Sequence, residues 1–224
     1  MRRIFIFAAV IMTVGSLTLT NGQNADSKTA VPAVDTTALS EAAVDSLLIS
    51  AANQAISQFS SQLQTSLKVA LDDGGPLNAV NVCNVVAPDI QTAHVRDGWF
   101  LERVTAKPRN QNNEADSAQL AILAQFASTT DAPLFIAQWN DPVKREKFRF
   151  YRPIRTNEMC AGCHGDPASF VPGLTEELKK LYPDDKAVGY KSGDLRGMFA
   201  IEVMWPEGMN YAQKLAASVK RDTK

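Results

Sequence analysis

The chain has 224 residues, of which 45% are hydrophobic, 21% charged and 8% aromatic, and its formal net charge is −1. This is ordinary globular composition, and it excludes a disordered chain, a collagen-like repeat and a multi-span membrane protein. The balance of 23 Lys and Arg against 24 Asp and Glu lacks the basic excess of a nucleic-acid binder, so no nucleic-acid partner is expected.

Met1-Arg2-Arg3 precedes an apolar run from Ile4 to about Leu19. A short basic region before such a run has the form of a secretory signal. The run falls short of the roughly 20 residues that a spanning helix needs. An uncleaved anchor is the alternative, and the paired arginines raise twin-arginine export as a minor one. We read residues 1–25 as a signal peptide, 26–38 as a flexible leader and 39–222 as one domain. The first cysteine is Cys83, so no lipid-modified cysteine sits at this boundary. The mature protein is expected in a bacterial periplasm, with no membrane insertion after cleavage.

From about Thr37 to Leu71 there is no proline or glycine. Leu48, Ala52, Ala55, Phe59, Leu63, Leu67 and Ala70 recur at three- and four-residue steps, which predicts an amphipathic helix. Its stripe would pack on the domain's own sheet or form the seam of a homodimer. Asp72-Asp73-Gly74-Gly75 is expected to stop it, and Pro76 to open a second helix over 76–97 that Pro88 kinks or shortens.

Trp99–Thr105 reads as a strand, Asn110–Asp116 as a polar loop and Ala115–Ala127 as a helix. Leu134–Trp139 and Lys144–Ile154 read as a hairpin around Asn140-Asp141-Pro142. A cysteine cluster, a short helix near Thr175–Leu181, a turn at Ser192-Gly193-Asp194, an apolar strand over Met198–Trp205 and a helix over 207–220 complete the chain. This order predicts an α+β domain, an antiparallel sheet with helices on one side.

Cys160-Ala161-Gly162-Cys163-His164 is a C-x-x-C-H motif, the attachment site of c-type haem. Two thiols at this spacing reach the two vinyl groups on one porphyrin edge. The next residue, His164, then lies beneath the iron as an axial ligand. One covalent haem c is the expected cofactor. A redox disulfide would leave Cys83 unpaired, and a zinc site of Cys83, Cys160, Cys163 and His164 would need adjacent residues to chelate one ion.

The second axial ligand stays open on residue chemistry. Cys83 as thiolate, His94, or one of Met159, Met198, Met204 and Met209 are the candidates. Cys83 and His94 are 11 residues apart, close to three helical turns, although Pro88 lies between them. Arg152, Arg155, Lys191 and Arg196 could pair with propionates. Phe148, Phe150, Tyr151 and Trp139 could wall the ring or fill the core.

Tyr151-Arg-Pro-Ile154, Cys160-Ala-Gly-Cys-His-Gly165, Leu181-Tyr-Pro183, Ala187-Val-Gly-Tyr190 and Gly193-Asp-Leu-Arg-Gly197 together resemble the bacterial c-type haem domains with a PAS-like fold, a family long known as a domain of unknown function. Val82-Cys83 before Ala87-Pro88, and Arg103-Val104 before Arg109-Asn110, extend the resemblance to about residues 40–220. Members often carry two prolines in the loop after the first strand, where this chain has Gln111 and Ala115.

The resemblance implies a PAS-like antiparallel sheet with long N-terminal helices and the haem motif inserted before the last strand. It also implies Cys83 as distal ligand. The expected function is a periplasmic redox or small-ligand sensor read by a redox or signalling partner protein. A monohaem electron carrier is the alternative. An enzyme is not expected, because His94 alone could serve as a distal acid–base group.

Overall fold

The structure, a computed structural model, describes residues 39–128 and 132–222; the expected signal peptide and the leader over 26–38 lie outside the described residues. Ser40 starts helix α1 (Glu41–Asn81), its hydroxyl accepting from the Ala43 N–H at 3.3 Å, and Glu41 sits favourably at the positive end of the helix. The helical path breaks at Gly74 and Gly75, whose backbone is non-helical, as the Asp72–Gly75 stop predicts; the two helices on either side are counted together as α1. Asn78 spans the break, donating through Nδ2 to the Ala70 carbonyl and to Asp73 Oδ2. Pro76 then opens the last stretch of α1 as expected.

The second expected helix runs on from Pro76 and ends at Ala93, short of residue 97, and Pro88 distorts it as expected. A π-helical turn over Val82–Val86 joins α1 to α2 (Ala87–Ala93). Pro88 has no N–H to give the carbonyl four residues back, so a regular α-helix would be broken here. The wider turn absorbs the defect: the Ala87 N–H donates five residues back to the Val82 carbonyl. Cys83 lies within this turn.

Four strands, β1 (Trp99–Val104), β2 (Ile136–Trp139), β3 (Lys147–Arg155) and β4 (Leu195–Met204), pair antiparallel in the order β1-β4-β3-β2. Helix α3 (Ser117–Ala127) separates β1 from β2, and Asp116 and Gln119 close a capping box at its start. Helices α4 (Glu158–His164) and α5 (Leu174–Leu181) lie between β3 and β4, and α6 (Met209–Asp222) ends the described chain. This is an α+β domain with a PAS-like sheet. The β2–β3 strands are shorter than expected. Asp141 starts a longer turn between them, taking the Val143 and Lys144 N–H groups on its carboxylate and the Arg145 N–H on its carbonyl.

Alternation along the strands separates two cores. Trp99, Leu101, Phe148, Phe150, Phe199 and Ile201 face α1 and α6, while Val104, Tyr151, Met198 and Ala200 face Ile122, Leu123 and Phe126 of α3. Helices therefore cover both faces, which corrects the expected one-sided arrangement. The run Met198–Ile201 carries no polar side chain, so β4 needs cover on both sides.

The apolar stripe of α1 divides likewise. Leu48, Ala52, Ile56 and Phe59 pack on the sheet, and Leu63, Leu67 and Leu71 run past its end to line a cavity. Phe59 is fully buried and meets Phe199 edge-on at 5.5 Å. Truncation by Phe59→Ala should lower stability by about 3–5 kcal/mol. A urea midpoint within error of wild type would show that this contact does not anchor α1.

Candidate functional site

The C-x-x-C-H motif forms helix α4. Asn157 caps it, its Oδ1 accepting from the Cys160 N–H at 3.1 Å. The next residue after the motif needs to be small: a Cβ at Gly165 would lie 2.5 Å from the Ala161 carbonyl oxygen. The chain then leaves α4 and returns alongside it. The Gly189 N–H donates to the Gly165 carbonyl, the Tyr190 N–H to that of His164 and the Thr156 N–H to that of Asp194. Gly193 takes the positive φ expected of its turn, and Asp194 Oδ2 accepts from the Lys191 N–H at 2.7 Å, a structural role. The Ala187–Tyr190 and Gly193-Asp194 stretches singled out in the sequence are thus the cradle of the motif.

His164 Nδ1 lies 2.8 Å from the Ala187 carbonyl oxygen. A carbonyl only accepts, so Nδ1 carries the proton and the Nε2 lone pair is free. Burial, with Arg109 and Arg196 close by, holds the imidazole well below the ordinary histidine range. The ring is therefore neutral, fixed in orientation and able to offer Nε2 to a ligand-binding atom.

Arg109 holds this arrangement together. Its side chain is 6% exposed, and its Nε donates to Asp185 Oδ2 at 3.0 Å. Its Nη2 donates to the carbonyls of Cys163, at 2.6 Å, and Ala187, at 3.3 Å. Asp185 Oδ1 takes the Ala187 N–H at 2.7 Å. One guanidinium thus ties the motif helix to the peptide that orients His164. The loop around Arg109 is fixed in turn by the Thr105 N–H on the Asn113 carbonyl and the Ala115 N–H on the Thr105 carbonyl. Ala115 makes a bond that a proline could not, which accounts for the loop's local geometry without prolines.

Cys83, Cys160, Cys163 and His164 line one cavity of about 210 Å³, with Leu63, Leu67, Leu71, Val80 and Ile154 as aliphatic walls. All three cysteines are free thiols, and no group of three or more His, Cys, Asp and Glu side chains gathers as a metal site among the described residues. Burial pushes the Cys83 thiol up, opposed by Arg109, Arg103 and Arg196. Burial likewise raises Cys163. Tyr182 is pushed up to about 12, first by burial and then by Cys83 beside it.

The other sequence candidates fall elsewhere. His94 does not line the cavity. It caps the end of α2, buried against Phe59 with ring centres 6.0 Å apart. Its pKa is lowered by burial, with Arg96 adding to the effect. The π turn shifts the helical phase between Cys83 and His94, so the 11-residue spacing does not align them. Of the methionines, Met159 lines the cavity, whereas Met198 and Met209 fill the two sheet cores. Phe148, Phe150, Tyr151 and Trp139 belong to the sheet packing rather than to the cavity. Arg152 pairs with Asn53 outside it, while Arg155 and Arg196 line it and Lys191 does not. Arg103 and Arg109 also line it and were missed as site residues. The signal for Arg103 was present: Trp99 and Leu101 set the inward face of β1, and Arg103 is the next inward position.

A family model described as Tll0287-like matches residues 35–204. Among solved structures, the crystal structure of the cyanobacterial haem protein Tll0287 is similar, with 26% identity and a TM-score of 0.50 over 68% of this chain and 92% of that one. None of the curated proteins matches the chain. The match spans both the sheet and the cavity residues, and the chain belongs to the Tll0287-like family.

Proposed function

We propose that this chain is an exported, periplasmic monohaem c-type protein that acts as a redox or small-ligand sensor. The observation that carries the reading is the free thiol of Cys83, in the π turn, lining the same cavity as the C-x-x-C-H motif. The relation to a haem protein supports haem as the cofactor.

The residues fit that group. Cys160 and Cys163 offer two free thiols one helical turn apart, and His164 offers a free Nε2 on a ring that the Ala187 carbonyl holds through Nδ1. Leu63, Leu67, Leu71 and Val80 would offer aliphatic contacts to a flat apolar ring, and the Nε atoms of Arg103 and Arg196 are buried donors without partners. In this reading Cys160 and Cys163 hold the haem covalently, His164 is the proximal ligand and Cys83 the distal one. The iron, when bound, supplies a one-electron change and a replaceable ligand position. The protein's own part is to keep the imidazole oriented and to present Cys83 on a helical turn that can move. A π turn is less favourable than the α-helix around it, so a change at Cys83 shifts a local equilibrium rather than the whole fold. That shift would move α2 and be read by a partner protein.

The test uses protein made in a periplasmic host with haem-maturation machinery. Covalent haem should remain with the denatured chain. Cys83→Ala should turn the ferric spectrum from low to high spin or shift its ligand bands. A spectrum indifferent to Cys83 would overturn the ligand assignment and favour an electron carrier ligated by another residue. The Arg109–Asp185 pair should matter first for folding. Removing one partner of a buried pair costs about 3–5 kcal/mol, so Arg109→Met should show a clearly lower denaturant midpoint, and an unchanged midpoint would refute the clasp.

A further inference from the structure

The inward face of β1 reads Trp99, Leu101, Arg103: two buried apolar side chains and then a cation. Arg103 lies opposite Phe199 in the register, and its guanidinium covers the Phe59 ring at 5.1 Å before reaching the cavity. Its Nε is buried with no hydrogen-bond partner, and the charged or ionisable groups close to it are Cys83, Tyr182 and Arg196, none of them a carboxylate. A cation in a core position without an anion is costly, by several kcal/mol in general. Such a position marks a function outside the packing itself.

A second arginine stands beside it. Arg155 pairs with Leu195 and Ile154 with Gly197, so Arg196 is the extra residue of a β-bulge. Bulges re-aim side chains near sites, and Arg196 lines the cavity. Its Nη1 is engaged by Thr105 Oγ1 and the Lys107 carbonyl, but its Nε is buried without a partner. Among the described residues, no Asp or Glu lines this cavity. Asp185 neutralises Arg109, and Arg155 turns its donors to the carbonyls of Gly193 and Phe126. Arg103 is left with no carboxylate near it, and Arg196, which stacks on Tyr190 and shares the charge of Asp185 with Arg109, keeps an unpartnered Nε.

We propose that Arg103 and Arg196 form a paired carboxylate site at the wall of the haem cavity, and that its occupants are the two propionates of the haem. The proposal rests on the haem reading above. Two guanidiniums match two carboxylates in charge, and each buried Nε gains the partner it lacks. Arg103, whose stem already lies on Phe59, sets where the propionate edge sits, and the Cys160–Cys163 edge sets the other side. The pair also places positive charge near the iron, which disfavours the oxidised state.

The test compares covalently loaded wild type with Arg103→Leu, Arg103→Lys and Arg196→Leu, and with Arg152→Leu as a control outside the cavity. Haem content by pyridine haemochrome is expected to be retained, because the thioether bonds do not depend on the arginines. The midpoint potential should fall in Arg103→Leu and Arg196→Leu, recover most of the fall in Arg103→Lys and stay unchanged in Arg152→Leu. The propionate bending band in resonance Raman should shift in the two leucine variants of the pair. Loaded Arg103→Leu with wild-type potential and an unmoved band would overturn the proposal. If Arg103→Leu does not fold, Arg103→Lys and Arg196→Leu carry the same readings. Wild type that takes up no haem would instead overturn the reading on which the proposal rests.

Discussion

The arrangement of the site depends on one buried guanidinium. Arg109 reaches the carbonyl of Cys163 and the carbonyl of Ala187 from the same nitrogen, while Asp185 balances its charge. The Ala187 carbonyl is also the acceptor for His164 Nδ1. The helix that carries two thiols and an imidazole is therefore not positioned by its own packing alone. It is short, with half-exposed side chains, and a helix of this length has little stability by itself. The segment from Asp185 to Asp194 supplies the missing restraint through backbone hydrogen bonds. A low-dielectric setting strengthens each of these bonds and makes each unmade one costly, so the unit behaves as a whole.

Around that unit the fold assigns distinct tasks to one long helix. The first half of α1 closes the sheet with small and medium apolar residues, and Ala51, Ala52 and Ala55 allow close approach. The second half, beyond Phe59, leaves the sheet and gives the cavity its aliphatic wall. The kink at Gly74–Gly75 and the π turn at Val82–Val86 then bend the path so that Cys83 faces inward. Both irregularities have local causes: two glycines in the first case, and a proline without an N–H in the second. Neither is a defect in packing, since Ala79, Val80 and Ala87 on either side are buried.

Much of this was legible in the residues. The C-x-x-C-H spacing is a local constraint, complete within five positions, so no tertiary information is needed to read it. Helical periodicity in α1, the helical stretch ending at Ala127 and the apolar run of β4 are equally local, and each element appeared near its expected place. The break at Asp72–Gly75 was legible too, because two glycines carry it, and the turns after it pack on α5 and the motif helix. Helices on both sides of the sheet follow from α3 crossing to the far face, which no pattern within α3 specifies.

What the sequence alone determined is the chemistry on offer: a paired-thiol and imidazole motif, a third thiol, an α+β domain and an apolar first helix. These depend on residue type and short spacing. Only the tertiary structure decided which distant groups meet. Cys83 reaches the cavity and His94 does not, because the π turn changes the helical phase between them. Arg109 joins Cys163, Asp185 and Ala187 across more than 50 residues of chain. Arg103 lines the cavity because strand pairing turns it inward over Phe59. Each of these is set by register and packing between remote segments, and neither quantity is written in any short stretch of sequence.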